Sequence, residues 1–157
     1  MHNACKHYGL QVLQKLTPEF YIKEVTWSTH ETALRLVREQ VFVVEQQVPE
    51  AIEWDGLDAT AHHLLVCDVQ AEAIGCARIL DNGSIGRMAV MTGWRGVGVG
   101  KLLLARAIDL CKQRKCKKVT LSAQTHAVLF YEQAGFTITS EPYLDANIWH
   151  VDMQLNI

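Results

Sequence analysis

The chain has 157 residues, a formal net charge of -2, 49% hydrophobic residues and 20% charged residues. These values describe one soluble globular domain and exclude a surface built mainly to coat nucleic acid. The five cysteines are odd in number and include no C-x-x-C pair, so neither a disulfide framework nor a zinc knuckle is expected, no metal site is assigned, and a reducing compartment is favoured.

Residues 1–18 carry Leu10, Val12, Leu13 and Leu16, a short amphipathic turn or an extra strand, before Pro18 breaks any helix. They are taken as a lead-in to a domain over 19–157. Their start has no apolar h-region of a signal peptide, and no apolar run in the chain nears the ~18 residues that span a bilayer. A cytoplasmic protein with no membrane partner is the expectation.

Residues 20–27 read as a strand with Phe20, Ile22 and Val25 inward. Ser28 and Glu31 form a capping-box signature, and Leu34, Val37, Val41, Val44 and Val48 continue a helical stripe to Pro49, although the β-branched residues of 41–44 weaken it. The stretch 50–58 is acidic, aromatic and turn-prone. Strands are predicted over 63–69, 73–80 and 84–91, an antiparallel meander whose Asp81-Asn82-Gly83 turn accepts positive φ. A helix over 99–114 should bury Leu102, Leu103, Ala107, Leu110 and Cys111. A strand over 119–122, a helix over 125–134 closed by Gly135, and strands over 136–139 and 149–155 follow. The sum is an α+β (mixed α/β) domain, antiparallel in front and alternating behind.

The chemistry centres on a strand, a glycine loop and a helix. Arg87-Met88-Ala89-Val90 precedes Arg95-Gly96-Val97-Gly98-Val99-Gly100 and the helix that follows. Such a loop turns backbone N–H groups into one concavity and adds the helix dipole, which makes an anion site. Arg95 can add a charge-assisted contact. A Walker A loop is excluded because Arg95 stands where its first glycine belongs and Leu102 where Ser or Thr belongs. A G-x-G-x-x-G fingerprint meets Lys101 or Leu103 at its last position and fails as well. A glycine loop alone is also compatible with a tight turn that holds no ligand.

Arg95-x-x-Gly98-x-Gly100 resembles the pyrophosphate loop, Q/R-x-x-G-x-G/A, of the GNAT acetyltransferase superfamily. Met88-Ala89-Val90 sits where that superfamily keeps a strand along the pantetheine arm, and Leu129-Phe130-Tyr131-Glu132-Gln133-Ala134-Gly135-Phe136 is similar to its "LYEKxGF" helix end. The resemblance covers most of 20–155. The segment 44–50, His63-Leu64 and Ile85-Gly86-Arg87 are further similar to a bacterial subgroup of small members, which names no substrate.

The resemblance implies a mixed, mostly antiparallel sheet flanked by helices, with central strands splayed around acetyl-CoA. It implies direct acetyl transfer to an amine, whether a small molecule or a peptide. Met88, Ala89 and Val90 would lie along the pantetheine, and the Val90 N–H would polarise the thioester carbonyl. Arg95, Gly96, Val97, Gly98, Val99 and Gly100 would hold the pyrophosphate, and Tyr131 would protonate the departing thiolate. Where many members have Asn, seven residues before this Tyr, the chain has Gln124, which can still bond the pantetheine or pyrophosphate. The general base is not legible: Glu53, Asp55, His63 and His150 are candidates, and the acidic stretch can attract a cationic amine. His62 and His63 face opposite sides of a strand, which opposes joint metal binding. The basic run 112–118 lies at a helix C-terminus without interleaved aromatics, so no nucleic-acid partner is expected. A homodimer is common in the family but is not derivable from these residues. The rival is a non-catalytic acyl-CoA-binding sensor.

Overall fold

The computed structural model describes residues 19–157; the proposed lead-in 1–18 lies outside the described residues. Among the described residues the strands form one eight-stranded sheet. Its strands are β1 (Phe20–Val25), β2 (His62–Asp68), β3 (Ala73–Ile79), β4 (Ser84–Val90), β5 (Lys118–Gln124), β6 (Thr137–Ile138), β7 (Tyr143–Asp145) and β8 (Ile148–Asn156). The order is β1-β2-β3-β4-β5-β8-β6, with β7 also on β8. Every pairing is antiparallel except β4 with β5.

Both faces of the sheet are covered. Helix α3 (Val99–Gln113) buries Leu103, Leu104, Ala107, Leu110 and Cys111 against one face, where they join Leu64, Val66, Ile85, Leu121 and Met153. Helix α1 (Trp27–Arg38) sets Leu34 and Val37 on the other, against Leu65, Cys67 and Ala89. Leu104 takes the core position expected of Leu102, which stays half-buried. In β1, Phe20 and Ile22 pack toward the α3 side and Val25 toward the α1 side. Strand alternation separates residues an odd number apart, so the three cannot share one face.

The helix expected over 28–48 ends at Arg38. A π-helical turn over Glu39–Glu45 takes the β-branched run, with Gln46 N–H bonded to the Val41 carbonyl at 3.1 Å. Crowding at the Cβ of the valines disfavours the tighter α-turn. Val41 and Val48 are buried, and Val44 is exposed. The Ser28–Glu31 box does not form: Thr26 is the N-cap residue, and Glu31 pairs with Arg35 at 2.8 Å. Pro49 ends nothing and instead opens α2 (Glu50–Glu53), accepting from Ile52 and Glu53 N–H.

The hairpin at 81–83 forms as expected, with Gly83 at φ +85° and Ser84 N–H bonded to Asn82 Oδ1 at 3.0 Å. A Cβ on Gly83 would meet the Lys118 carbonyl at 2.6 Å, so this glycine also permits β4 to start beside β5. The helix expected over 125–134 is a 3-10 turn (Thr125–Ala127) followed by α4 (Val128–Glu132). Gly135 follows at φ +97°, its N–H bonded to the Glu132 carbonyl at 2.9 Å. Strand β7 was not foreseen. It returns into β8 through Ala146 and Asn147, both at positive φ, and alanine there muted the turn signal.

Candidate active site

Strands β4 and β5 pair only at Ser84↔Thr120 and Ile85↔Leu121. Beyond that point both strands continue apart, and a cleft of about 770 Å3 opens between them. Gly86, Arg87, Met88, Ala89 and Val90 line one wall; Leu121, Ser122 and Gln124 line the other. Phe42, Gln46 and Ile52 roof it from the π-turn and α2, while Tyr131 and His150 reach in from α4 and β8.

Met91 N–H donates to the Ile74 carbonyl of β3 at 2.9 Å. Successive strand residues turn their N–H groups to opposite edges, so Val90 N–H points away from β3, toward the gap. Arg95 Nε bonds the Val90 carbonyl from the same side at 2.9 Å.

The glycine loop wraps into α3. Gly96 and Gly98 have φ of +77° and +95°, and a Cβ on either would meet nothing within 4 Å. Gly98 is the N-cap residue and carries no capping side chain, which leaves the first-turn N–H groups of α3 for an anion. Arg95 and Gly100 line the cleft; Gly96, Val97 and Gly98 form the adjoining turn. Val99 is in the core, so only its backbone is offered. The Arg95 guanidinium is engaged fork to fork by Glu45, at 2.6 and 2.8 Å. Those hydrogen bonds hold the Glu45 carboxyl below its usual range.

Tyr131 lies edge-on to Phe130 and Phe136, with ring centroids 5.1 and 5.9 Å away. Burial pushes its phenol up to about 12, so it keeps its proton at neutral pH. Gln124 donates to Gln46 Oε1 at 2.8 Å, tying β5 to the roof.

The four base candidates separate. Glu53 is buried between Arg38, whose Nε lies 2.6 Å away, and Arg87, whose Nε lies 3.2 Å away. Burial outweighs those cations and raises its pKa. Asp55 accepts two hydrogen bonds from Arg78, at 2.8 and 2.7 Å, which hold its carboxyl well below the usual range despite partial burial. His63 is buried on the α1 side, where its Nε2 donates to the Asp58 carbonyl at 2.9 Å and burial lowers its pKa. These three are tied into a structural network. His150 differs. Its Nδ1 faces the Ile148 carbonyl at 2.7 Å, and since a carbonyl only accepts, the neutral ring carries its proton on Nδ1 and its lone pair on Nε2. The ring lies on the cleft wall and stacks on Tyr143, 6.0 Å away.

Several groups of the site escaped the sequence. In the sequence, Arg87 is marked only by its place in the strand before the glycine loop and by a family likeness, and the segment holding Glu45 by the likeness alone. Ser122 on the cleft wall, Tyr143 and Asp152 form a hydroxyl chain: Tyr143 donates to Asp152 at 2.6 Å, so Ser122 donates to Tyr143. The register Ser122↔Asp152 and Gln124↔His150 puts these groups on one face, a relation no local pattern encodes. Among the described residues no cluster of His, Cys, Asp or Glu could hold a metal ion.

A splayed parallel pair beside an uncapped glycine-led helix defines the acyltransferase class of cleft. The chain matches the family model described as an acetyltransferase (GNAT) domain over residues 24–157, and it belongs to that family. It is 36% identical to the uncharacterized N-acetyltransferase YjcF of Bacillus subtilis over 120 residues, covering 74% of this chain and 86% of that one. It is 35% identical to the protein ElaA of Escherichia coli over 129 residues, 77% of this chain and 84% of that one. Among solved structures, an acyl-CoA N-acyltransferase from Pseudomonas aeruginosa superposes with a TM-score of 0.76 at 33% identity, over 87% of this chain and 98% of that one. Escherichia coli ElaA superposes with a TM-score of 0.78 at 31% identity, over 87% of this chain and 99% of that one. These likenesses support acyl transfer from an acyl-CoA by a mixed α/β GNAT fold.

Proposed function

We propose that the chain is an N-acetyltransferase that passes the acetyl group of acetyl-CoA directly to an amine. The observation that carries this is the gap between β4 and β5 opening beside the uncapped N-terminus of α3. Phosphates suit the helix end, and an extended pantetheine suits the free backbone edge of Met88 and Val90. Acetyl-CoA supplies the activated acyl group when bound.

The chain's own groups divide the remaining work. Val90 N–H donates to the thioester oxygen as negative charge develops there. His150 Nε2 takes the proton that the attacking amine must lose, directly or through a water. Tyr131 returns a proton to the departing sulfur; as a protonated phenol it has one to give. The amine nitrogen forms the new bond to carbon and the carbon–sulfur bond breaks, so one amide and one thiol result. Ser122, whose proton is committed to Tyr143, and Asp145 both line the cleft and favour a donor-rich, cationic acceptor. We also propose a cytoplasmic enzyme; no helix among the described residues is long and apolar enough to cross a membrane.

The test is release of CoA thiol from acetyl-CoA against a panel of amino acids, polyamines, aminoglycosides and peptides, beside thermal unfolding with the cofactor alone. At about 100-fold excess over Kd, binding should add ~2.7 kcal/mol of stability. Stabilisation with thiol release for one amine class supports the enzyme. Stabilisation without release for any amine favours the non-catalytic sensor, and no stabilisation by millimolar cofactor removes both.

A further inference from the structure

Arg87 stands where β4 changes partners. The register passes from Arg78↔Gly86 to Cys76↔Ala89, so Ala77 alone faces Arg87 and Met88, which is a bulge. Arg87 itself has φ +49°, a left-handed conformation that costs a non-glycine residue about 1–3 kcal/mol. The last β4–β5 partners are Ile85↔Leu121, two residues earlier, so bulge and gap begin together.

A glycine would take this backbone at less cost. The arginine uses its side chain. Arg87 Nη2 donates to the Ile52 carbonyl at 3.2 Å, the Glu53 carbonyl at 3.0 Å and Asp55 Oδ2 at 3.1 Å. Those acceptors are themselves held. Arg38 bonds Glu53 through Nε at 2.6 Å and through Nη2 to its carbonyl at 3.1 Å. Arg78 grips Asp55, and Asp58 joins Arg38 to Arg78 at 2.6 and 3.1 Å. Three arginines and three acids thus make one chain of contacts from α1 and β3 to the bulge.

We propose that Arg87 is a positioning residue for the acyl-CoA: its clamp on the 52–55 segment holds β4 off β5 and keeps the Met88 and Val90 backbone edge open. This rests on the acyl-CoA reading of the cleft. Unpaired strand N–H and C=O groups seek partners. Residues 86–90 and 122–124 carry such groups on the two sides of the gap. Released from the clamp, β4 can straighten and pair with β5, which closes the edge that the pantetheine needs. The glycine loop lies beyond the bulge, carried by α3, and is not held by Arg87.

The experiment is calorimetric titration of the wild type, Arg87→Gly and Arg87→Lys with two ligands: acetyl-CoA and 3′,5′-ADP, which has the nucleotide but no pantetheine. Arg87→Gly removes the clamp and the backbone strain together. It should lose about 10- to 100-fold in acetyl-CoA affinity, the scale of a misplacement of about 1 Å, and leave 3′,5′-ADP affinity unchanged. Arg87→Lys keeps a charge but offers a compact ammonium without the guanidinium's fork, and should fall between. Equal acetyl-CoA affinity in wild type and Arg87→Gly overturns the proposal, and so does a parallel loss for both ligands. If Arg87→Gly does not fold, Arg87→Lys is judged by the same criterion. A wild type that binds neither ligand removes the acyl-CoA reading and the clamp's role with it; a ligand-independent result in the variants removes the clamp alone.

Discussion

Arg95 and Glu45 meet fork to fork, at 2.6 and 2.8 Å, across 50 residues of chain. The same guanidinium bonds the Val90 carbonyl through Nε. Three of its five N–H groups are therefore committed before any phosphate arrives. The carboxylate orients the arginine and also competes with an anion for it.

Glu45→Gln is accordingly expected to tighten acetyl-CoA binding several-fold at low ionic strength, with the gain fading as salt screens the charge. Arg95→Ala should weaken binding about tenfold, the loss of one charge-assisted contact. Both residues are about two-fifths exposed, so each variant should change unfolding stability by only ~0–1 kcal/mol. Titration at two salt concentrations, beside urea unfolding, checks this; weaker binding by Glu45→Gln would show that orientation outweighs competition.

His150→Ala should lower kcat by about 10²- to 10⁴-fold with acetyl-CoA affinity intact. His150→Gln should be equally slow, because an amide bonds a proton donor without taking its proton. Kinetics on the best amine of the panel decide it: an unchanged kcat in either variant excludes the ring as the base.

Tyr131 makes a signed prediction in alkali. Its folded pKa, about 12, lies above the ~10 of an unfolded tyrosine because burial disfavours the phenolate. Its contribution to stability is therefore complete below pH ~10 and is lost as pH rises toward 12. The difference in urea stability between wild type and Tyr131→Phe should shrink or reverse across that window. In turnover, Tyr131→Phe should cut kcat while leaving cofactor affinity nearly unchanged.

The arginine–carboxylate network should dominate acid unfolding. Asp55 is held low by Arg78, and Asp58 is lowered because hydrogen bonds from Arg38 and Arg78 overcome the opposing effect of burial. Groups with lowered pKa stabilise above the unfolded value of ~3.9 and lose that contribution as pH falls below it. Glu53, raised by burial, acts in the reverse sense. Asp55→Asn should thus flatten the decline in stability below pH ~4. Arg38→Ala, which takes from buried Glu53 and Asp58 one of the two arginines that each contacts, should cost about 3–5 kcal/mol at neutral pH. Denaturant unfolding against pH measures both.

Local chemistry was legible in the chain wherever a short segment decides its own conformation. The Asn82-Gly83 turn, the glycine-led start of α3 and the alternating strands of the meander all depend on residues a few positions apart. So does the order of strand, loop and helix that marks the GNAT family. What only the tertiary structure decided are relations between distant residues. Glu53, Asp55 and His63 read as equals of His150 in the sequence, because any acid or imidazole can serve as a base. Packing drew the first three among Arg38, Arg78 and Trp27 and left His150 on the cleft wall with a free Nε2. Arg87 belongs to the same class: nothing local asks an arginine to take a left-handed backbone in a strand. The acceptors that hold it come from residues 52–55, more than thirty positions away, and only the folded chain brings them there.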